Sequence, residues 1–179
     1  MDEAGCSCWS PVSYSWSRRG VQKRQEQTKR RGRRVNIIGF WEPQQSLVYG
    51  LVIGKMTSAR YIRLMDWQAQ QAARQFKRSG KITVIGQDNA PIHTSAAVQN
   101  RIVCWQEKGL YLFHFPKYCS ELNEIEIEWQ RVKEDEIRGQ MFEHEHDLSM
   151  EIVRAMKARG ERAGYQAQRF GFKSRRIVE

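Results

Sequence analysis

The sequence predicts one α/β domain, and three patterns carry that prediction. Two apolar runs rich in β-branched and aromatic residues, 35–41 and 47–53, flank a polar turn and predict an antiparallel hairpin. Two further apolar runs, 82–86 and 110–115, are separated by a segment of helical periodicity. Strands joined through a short helix run parallel in one sheet. The predicted sheet is therefore mixed, with helices packed against it.

The composition is that of one globular chain. Its 179 residues are 40% hydrophobic, which is enough for a sizeable core. No stretch of about eighteen apolar residues occurs, so no transmembrane helix is predicted. The beginning of the chain lacks the apolar region of a signal peptide, and a cytoplasmic location is expected. The cysteines lack zinc-ribbon spacing and are expected to be free thiols: Cys6, Cys8, Cys104 and Cys119.

The net charge of +10 is distributed in three blocks. Residues 18–34 hold nine Lys or Arg residues and one acid, and residues 154–176 hold eight basic residues and one acid. The central block, 121–151, holds eleven acids against three basic residues. Basic flanks suit a polyanion. A concentrated acidic segment suits divalent cations or a solvated helix face.

The first part of the chain has few regular patterns. Residues 1–20 are predicted to be irregular except for a short strand at 12–16, and the basic run 18–34 to form a loop. After the hairpin, Thr57 or Ser58 is expected to cap a helix that runs to about Arg78. Spacings of three and four predict its buried stripe: Ile62, Met65, Ala69, Ala72 and Phe76.

The second part alternates strands and helices. Thr94 or Ser95 is expected to cap the helix after the strand at 82–86. A helical pattern resumes at Glu121, with its apolar stripe inward and its acids on the other faces. That stripe is Leu122, Ile125, Trp129 and Val132, and the acids are Glu121, Glu124, Glu126 and Glu128. A last helix is predicted at 148–156. We therefore expect a domain at 1–160 and a basic tail at 161–179.

Three carboxylates are candidates for chemistry. Asp88 ends a buried strand, where α/β sheets place their active sites. Glu126 lies in the first turns of the helix after the neighbouring strand, so the two can converge, and Asp2 is a third acid near the start. Carboxylates of this kind bind Mg²⁺. The alternatives are that Asp88 only stabilises a turn and that Glu126 only favours a helix dipole.

These residues also carry a family resemblance. Residues 88–93, Asp-Asn-Ala-Pro-Ile-His, resemble the second-aspartate motif D-N-A-x-x-H of bacterial insertion-sequence transposases of the mariner superfamily. Residues 115–126 resemble their L-P-P-Y-S-P-E-L-N-P-I-E motif, whose final Glu is catalytic, and Trp129 matches the tryptophan that follows. Residues 2–5 resemble the start of the first-aspartate motif, and Tyr14, Trp16, Arg19 and Gly20 resemble the segment after it.

The resemblance implies an RNase H-like fold and a DDE endonuclease that cuts and joins DNA. Asp2, Asp88 and Glu126 would be both the catalytic residues and the ligands of two Mg²⁺ or Mn²⁺ ions. The expected partners are the transposon ends and target DNA, bound by a homodimer in the bacterial cytosol or nucleoid. Neighbours of the active site would be Asn89, His93 and Asn123. The basic loop would contact DNA through Arg18, Arg19, Lys23, Arg24, Lys29, Arg30, Arg31, Arg33 and Arg34.

The sequence also departs from the family pattern. Lys117, Ser120 and Glu124 replace prolines of the third motif, and Cys119 stands where Ser is usual. Only Met1 precedes Asp2, whereas the family places this Asp at the end of a central strand, so the first strand is expected to be largely missing. Two other functions stay open: an inactive DNA-binding remnant, and an RNase H-like nuclease without strand transfer. His144 and His146 could bind a metal, although a solvated acidic link is the simpler interpretation.

Overall fold

The computed structural model describes residues 1–10, 16–21, 28, 32–116 and 122–172. Its strands, in chain order, are β1 (Asp2–Cys6), β2 (Val35–Glu42), β3 (Ser46–Ile53), β4 (Thr83–Gln87), β5 (Leu110–His114) and β6 (Gln166–Phe170). Its helices are α1 (Ser58–Ser79), α2 (Pro91–Thr94), α3 (Ala96–Gln106), α4 (Ile125–Arg131) and α5 (Glu145–Ala163). A π-helical segment, Val132–Ile137, continues directly from α4.

The strands form a four-stranded and a two-stranded sheet. In the first, the order is β1-β2-β3-β6; β1 and β3 run antiparallel to β2, and β6 runs parallel to β3. In the second, β4 and β5 are parallel, as predicted. The Met1 nitrogen donates a hydrogen bond to the Gly86 carbonyl across the 2.7 Å between them. The two sheets therefore meet at β1 and β4, the strands that deliver Asp2 and Asp88.

Two hydrophobic cores lie on opposite faces of the larger sheet. Successive residues of a strand point to opposite faces, and β2 shows this with Ile37 in one core and Ile38 in the other, both fully buried. The first core packs β1–β3 against α4 and α5 through residues such as Trp129 and Ile152. The second packs the sheet against α1 and α3. Each fully buried large apolar side chain contributes roughly 1.5–3 kcal/mol.

Helix α1 shows how the sequence sets its own ends. The Thr57 hydroxyl accepts a hydrogen bond from the Arg60 amide, which caps the first turn. Gly80 ends the helix with a left-handed φ of 70°. The predicted stripe is correct at Met65, Ala69 and Ala72. It is wrong at Phe76, which shares that face but lies in the last turn of α1 and is 45% exposed, and it missed the buried residues Tyr61 and Leu64.

Other parts of the structure differ from the sequence analysis. Residues 2–6, predicted to be irregular and expected to lack most of a first strand, form β1 and pair with β2 over five residues. The boundary expected at 160 falls inside α5, and β6 of the expected tail pairs with β3. Leu122, predicted to face inward, is 52% exposed. Most of the strand predicted at 12–16 lies outside the described residues, and so does Glu121, the predicted start of a helix.

None of the helices in the described part of the chain has the length and apolar character needed to span a bilayer.

Candidate active site

Asp2 and Glu126 line the same pocket. The pocket has a volume of about 440 Å³ and lies between β1 and the helical segment that begins with α4. Its lining residues are Asp2, Glu3, Ala4, Glu126, Trp129, Gln130, Lys133 and Glu134. Strand and helix placement predicted convergence of Asp88 and Glu126, and the family resemblance added Asp2. The pocket brings Asp2 and Glu126 together, and Asp88 is not among its lining residues.

Asp88 is linked to this pair electrostatically. The pKa of Asp2 is raised from 3.8 to about 6, chiefly by burial and in smaller part by the charges of Glu126 and Asp88, and the hydrogen bond from the Glu3 backbone opposes this rise. A carboxyl group whose pKa is raised by other carboxylates is close to uncompensated negative charge. A bound cation would relieve that repulsion.

The turn after β4 fixes one oxygen of Asp88. Asp88 Oδ1 accepts a hydrogen bond from the Ala90 amide at 3.1 Å and lies 2.8 Å from His93 Nδ1. The side chain is 53% exposed, and both contacts involve the same oxygen. Neither contact uses Asp88 Oδ2, which can therefore serve a ligand.

His93 lies behind Asp88, and it is almost completely buried. Its ring packs on Tyr61 with 4.8 Å between ring centroids, and its Nε2 lies 3.4 Å from Glu3 Oε1. Burial alone would lower the pKa of His93, but the contact with Glu3 and the charges of Asp88 and Glu3 outweigh it and raise the pKa. The predicted neighbour is thus a buried histidine held between two carboxylates.

Glu126 is presented by the first turn of α4. Its Oε1 accepts a hydrogen bond from Asn123 Nδ2 at 3.2 Å, and its amide donates to the Asn123 carbonyl at 2.9 Å. Asn123 is only 5% exposed, so it is a fixed support. Asn89, the other predicted neighbour, donates from Nδ2 to the Phe115 carbonyl at 2.8 Å and ties the Asp88 turn to the end of β5.

The opposite side of α4 contains an ion-pair network that the sequence analysis missed. Glu128 was predicted to lie on an outer face, yet it is 5% exposed. Its Oε2 accepts hydrogen bonds from Arg159 Nε and Nη2, at 3.1 and 3.0 Å, and from the Tyr165 hydroxyl at 3.2 Å. Arg131 Nη1 binds its Oε1 at 2.8 Å. Glu128 therefore ties the helix of Glu126 to α5 and to the segment before β6.

Lys133 and Gln130 are also pocket residues that the sequence analysis did not single out. They follow Glu126 by seven and four positions, which places them on the same helix face. That spacing is a usable signal, because it extends the site along the helix once Glu126 is assigned. Lys133 is the only cationic side chain among the lining residues of this pocket.

The basic loop is only partly within the described residues. Arg18 and Arg19 are exposed. Arg33 pairs with Glu145 at 3.3 Å, and Arg34 Nη2 donates to the Gly5 carbonyl at 3.3 Å, so these two also hold the loop against the domain. The other predicted DNA contacts lie outside the described residues: Lys23, Arg24, Lys29, Arg30 and Arg31.

The described residues contain no preformed cluster of three or more His, Cys, Asp or Glu groups arranged as a metal site. That includes His144 and His146, which are exposed around the start of α5. The donor chemistry at Asp2 and Glu126 nevertheless fits a hard divalent cation, because it consists of carboxylate oxygens that line one pocket.

A family model described as DDE superfamily endonuclease matches residues 1–149. A search against curated proteins finds no significant match. Among solved structures, the Mos1 mariner paired-end complex with Mn is similar with a TM-score of 0.60 and 17% identity over 90% of this chain and 52% of that one. The Mos1 strand transfer complex gives 0.55 and 17%, over 90% of this chain and 51% of that one.

These likenesses establish the fold. The chain spans about half the length of the Mos1 chains it matches. At this identity the match shows a shared architecture, and it confirms the RNase H-like mixed sheet flanked by helices that the sequence resemblance implied.

Proposed function

The chain belongs to the DDE superfamily of endonucleases, and from that premise we propose that it is the catalytic domain of a transposase. It would cut DNA phosphodiesters and join the cut ends to target DNA. The observation that carries this proposal is the placement of Asp2 and Glu126 in one pocket, with Asp88 close enough to raise the pKa of Asp2. Those are the three acids that the family resemblance assigns to catalysis.

The site suits divalent cations, and we propose two ions, Mg²⁺ or Mn²⁺, held by Asp2, Asp88 and Glu126. A pair of such ions activates the attacking water or 3′-hydroxyl and stabilises the leaving oxygen in phosphoryl displacement. Asp88 contributes through the oxygen left open by its turn, and Asn123 holds the carboxylate of Glu126 in place. Three neighbours therefore hold the acids, or the turn that carries Asp88, in position: His93, Asn89 and Asn123.

The rest of the pocket suits a DNA strand. Lys133 places one positive charge in a pocket otherwise rich in carboxylates, and a DNA phosphate beside the reacting one would neutralise it. The basic residues 18–34 would contact more distant phosphates. We propose that the partners are transposon ends and target DNA, bound by a homodimer. The Mos1 matches include a paired-end complex and a strand transfer complex. A cytosolic or nucleoid location would follow from those partners.

The test is metal-dependent nicking and strand transfer on DNA. The chain is incubated with supercoiled plasmid and with pre-cut transposon-end DNA, with and without Mn²⁺. Single variants Asp2→Asn, Asp88→Asn and Glu126→Gln remove one candidate ligand each at nearly constant volume. We expect nicking that requires the cation and is abolished in all three variants, while Glu42→Gln, a change at an exposed strand end, behaves as the wild type.

The same experiment separates the alternatives. DNA binding without nicking at any cation concentration would identify an inactive remnant. Nicking without joining of a pre-cut end would identify an RNase H-like nuclease that lacks strand transfer. Nicking that survives all three substitutions would place the chemistry elsewhere and overturn the assignment of these acids.

A further inference from the structure

We propose that Glu3 and His93 form a positioning pair that holds Asp88 in register with Asp2, an inference that rests on the proposed function. Glu3 is next to Asp2 on β1, and His93 touches Asp88. Nothing in the chemistry of the reaction requires either side chain to touch DNA or a cation. Their role would be to join the two strands that deliver two of the three acids.

Glu3 lies at the edge of the pocket, but the alternation of β1 places its side chain on the opposite face of the strand from Asp2. Ala4 and Cys6 pack in the core beneath α4 and α5, so Asp2, at the same parity as both, points to that side. Met1 belongs to the other core, which contains α1 and α3. Glu3 shares that side with Met1, and His93 lies there.

His93 is enclosed so tightly that its contacts define its position. The side chain is 2% exposed, Tyr61 packs on its ring, and each ring nitrogen faces one carboxylate. Nδ1 lies 2.8 Å from Asp88 Oδ1, and Nε2 lies 3.4 Å from Glu3 Oε1. Glu3 Oε1 and His93 Nε2 are both buried and neither makes a hydrogen bond, so the 3.4 Å contact between them is electrostatic.

This contact crosses the place where backbone pairing is weakest. β1 pairs with β2, and β4 pairs with β5, but the described residues contain no ladder between β1 and β4. The Met1–Gly86 hydrogen bond is the backbone link that the structure shows there. The chain Glu3–His93–Asp88 is a side-chain link across the same seam, and it ends on Asp88 Oδ1, which leaves Oδ2 for a ligand.

Glu3 and His93 would act on the metal site without touching the metal, by holding a residue that binds it. Such partners fix the orientation of a liganding side chain, and their loss typically weakens metal affinity by about 10–100-fold. Without Glu3, His93 would lose one of the two carboxylates that hold it, and the Asp88 carboxylate would sample more orientations. We therefore expect weaker cation binding with an intact fold.

The experiment compares Glu3→Gln with the matched control Glu42→Gln, the same change at an exposed end of β2. Mn²⁺ affinity is measured by calorimetry, melting temperature by circular dichroism, and exchange of the Ala90 and His93 amides by hydrogen–deuterium exchange without metal. We expect Glu3→Gln to weaken Mn²⁺ binding by about tenfold or more, to speed exchange at both amides, and to melt within about 2 °C of the wild type. Glu42→Gln should change none of these.

A double variant and the other outcomes decide the inference. Glu3→Gln combined with His93→Gln should bind Mn²⁺ no more weakly than His93→Gln alone, since both act through one link. Equal Mn²⁺ affinity in Glu3→Gln and wild type, additive losses in the double variant, or a large fall in melting temperature would each overturn the pair. If the wild type binds no Mn²⁺, the proposed function fails, and unchanged amide exchange in Glu3→Gln then overturns the positioning role separately.

Discussion

The two sheets that meet at the candidate site are supported in different ways. The four-stranded sheet is covered on both faces, as the fully buried neighbours Ile37 and Ile38 show. The β4–β5 ribbon is covered on one face only: Ile85 is 7% exposed, whereas Val84 is 58% and Phe113 55% exposed. Asp2 therefore lies on a partly buried strand, and burial disfavours its charged form. Asp88 lies at the end of a strand that is covered on one face only, and contacts of its side chain hold it in place.

The comparison extends to the helix that carries Glu126. Glu128, two residues later, is buried on the side of the larger sheet and is neutralised by Arg159, whose side chain is 10% exposed. Charge buried in this way is stabilising only as long as its partner remains. The larger sheet and α5 therefore act together as the fixed frame of the site, and Asp88 is the part that must be held to it.

The largest expected effect tests that frame. Replacing Arg159 with Ala leaves the Glu128 carboxylate buried with fewer partners, and breaking a buried pair costs about 3–5 kcal/mol. Arg131 and Tyr165 still contact Glu128, which favours the lower end of that range. Urea unfolding followed by fluorescence measures the loss. The control is Arg154→Ala, which removes a pair with Glu151 in which the arginine is exposed, and it should cost much less than Arg159→Ala.

Equal losses for Arg159→Ala and Arg154→Ala would contradict the frame. If the frame is correct, the double variant Glu128→Gln/Arg159→Met should be more stable than Arg159→Ala, since both buried charges are gone. If the two single losses are equal, this double variant does not report on how Glu126 is held.

The second prediction tests the one-sided cover of the ribbon with two neighbouring residues of β4. Ile85→Ala removes a buried side chain from the core with α1 and α3, and such a change costs about 2–5 kcal/mol. Val84→Ala changes a side chain that is mostly exposed and should stay within about 0.5 kcal/mol. Denaturant midpoints at constant slope give both values. A loss at Val84 as large as that at Ile85 would mean that the outer face of the ribbon is covered in solution.

The sequence predicted the elements whose patterns are local. The hairpin β2–β3 and helix α1 follow from apolar periodicity and turn or cap residues, and the parallel pairing of β4 and β5 follows from a short helical crossover. Asp88 was correctly placed at the end of its strand. These features depend on neighbours within a few positions, so periodicity reveals them.

The features that the sequence analysis missed depend on distant partners. β1 is short and carries polar residues, and pairing with β2 makes it a strand. β6, with the sequence Gln-Ala-Gln-Arg-Phe, shows no apolar run and is a strand because it adds to the edge of β3. Glu128 looks like a surface residue until Arg159, 31 positions away, pairs with it. Of the candidate site, Asp2, Asp88 and Glu126 were visible through motifs and Lys133 could have been found from its spacing to Glu126, but the contact of Glu3 with His93 required the structure.

The third prediction uses pH to separate the two environments. The folded-state pKa of Asp2 is about 6 against 3.8 for an ordinary Asp, so between these values the folded protein binds more protons than the unfolded one. Stability should therefore fall as pH rises from about 4 to 6, by about 2 kcal/mol when partial exposure is allowed for. Urea unfolding at several pH values measures it, and Asp2→Asn should flatten this part of the profile. The pKa of His93 is also raised, so the stability that this histidine contributes is lost over a higher pH range, as pH rises above its ordinary pKa. If the pH profile of stability is the same in Asp2→Asn and in the wild type, the pKa of Asp2 is not raised in the folded protein.

The smallest expected effect concerns Lys133, on the side of the site that belongs to the larger sheet. If the pocket receives a DNA strand, Lys133→Ala removes one phosphate contact, so the log–log slope of affinity against salt should decrease by about 1, and binding should weaken about equally for all sequences. The control Lys157→Ala removes the same charge from an exposed position on α5, where Lys157 lies beside Glu161, and should leave the slope unchanged. Fluorescence anisotropy at several salt concentrations measures both, without added divalent cation so that the site acids do not bridge to DNA through metal.

Because α4 and the π-helical segment are fixed by Glu128, the lysine is presented at a constant distance from Glu126. Its contact should therefore persist in Glu3→Gln, which loosens only the Asp88 side. Equal slope changes in the two lysine variants would mean that DNA sees the net charge of the domain and does not enter this pocket.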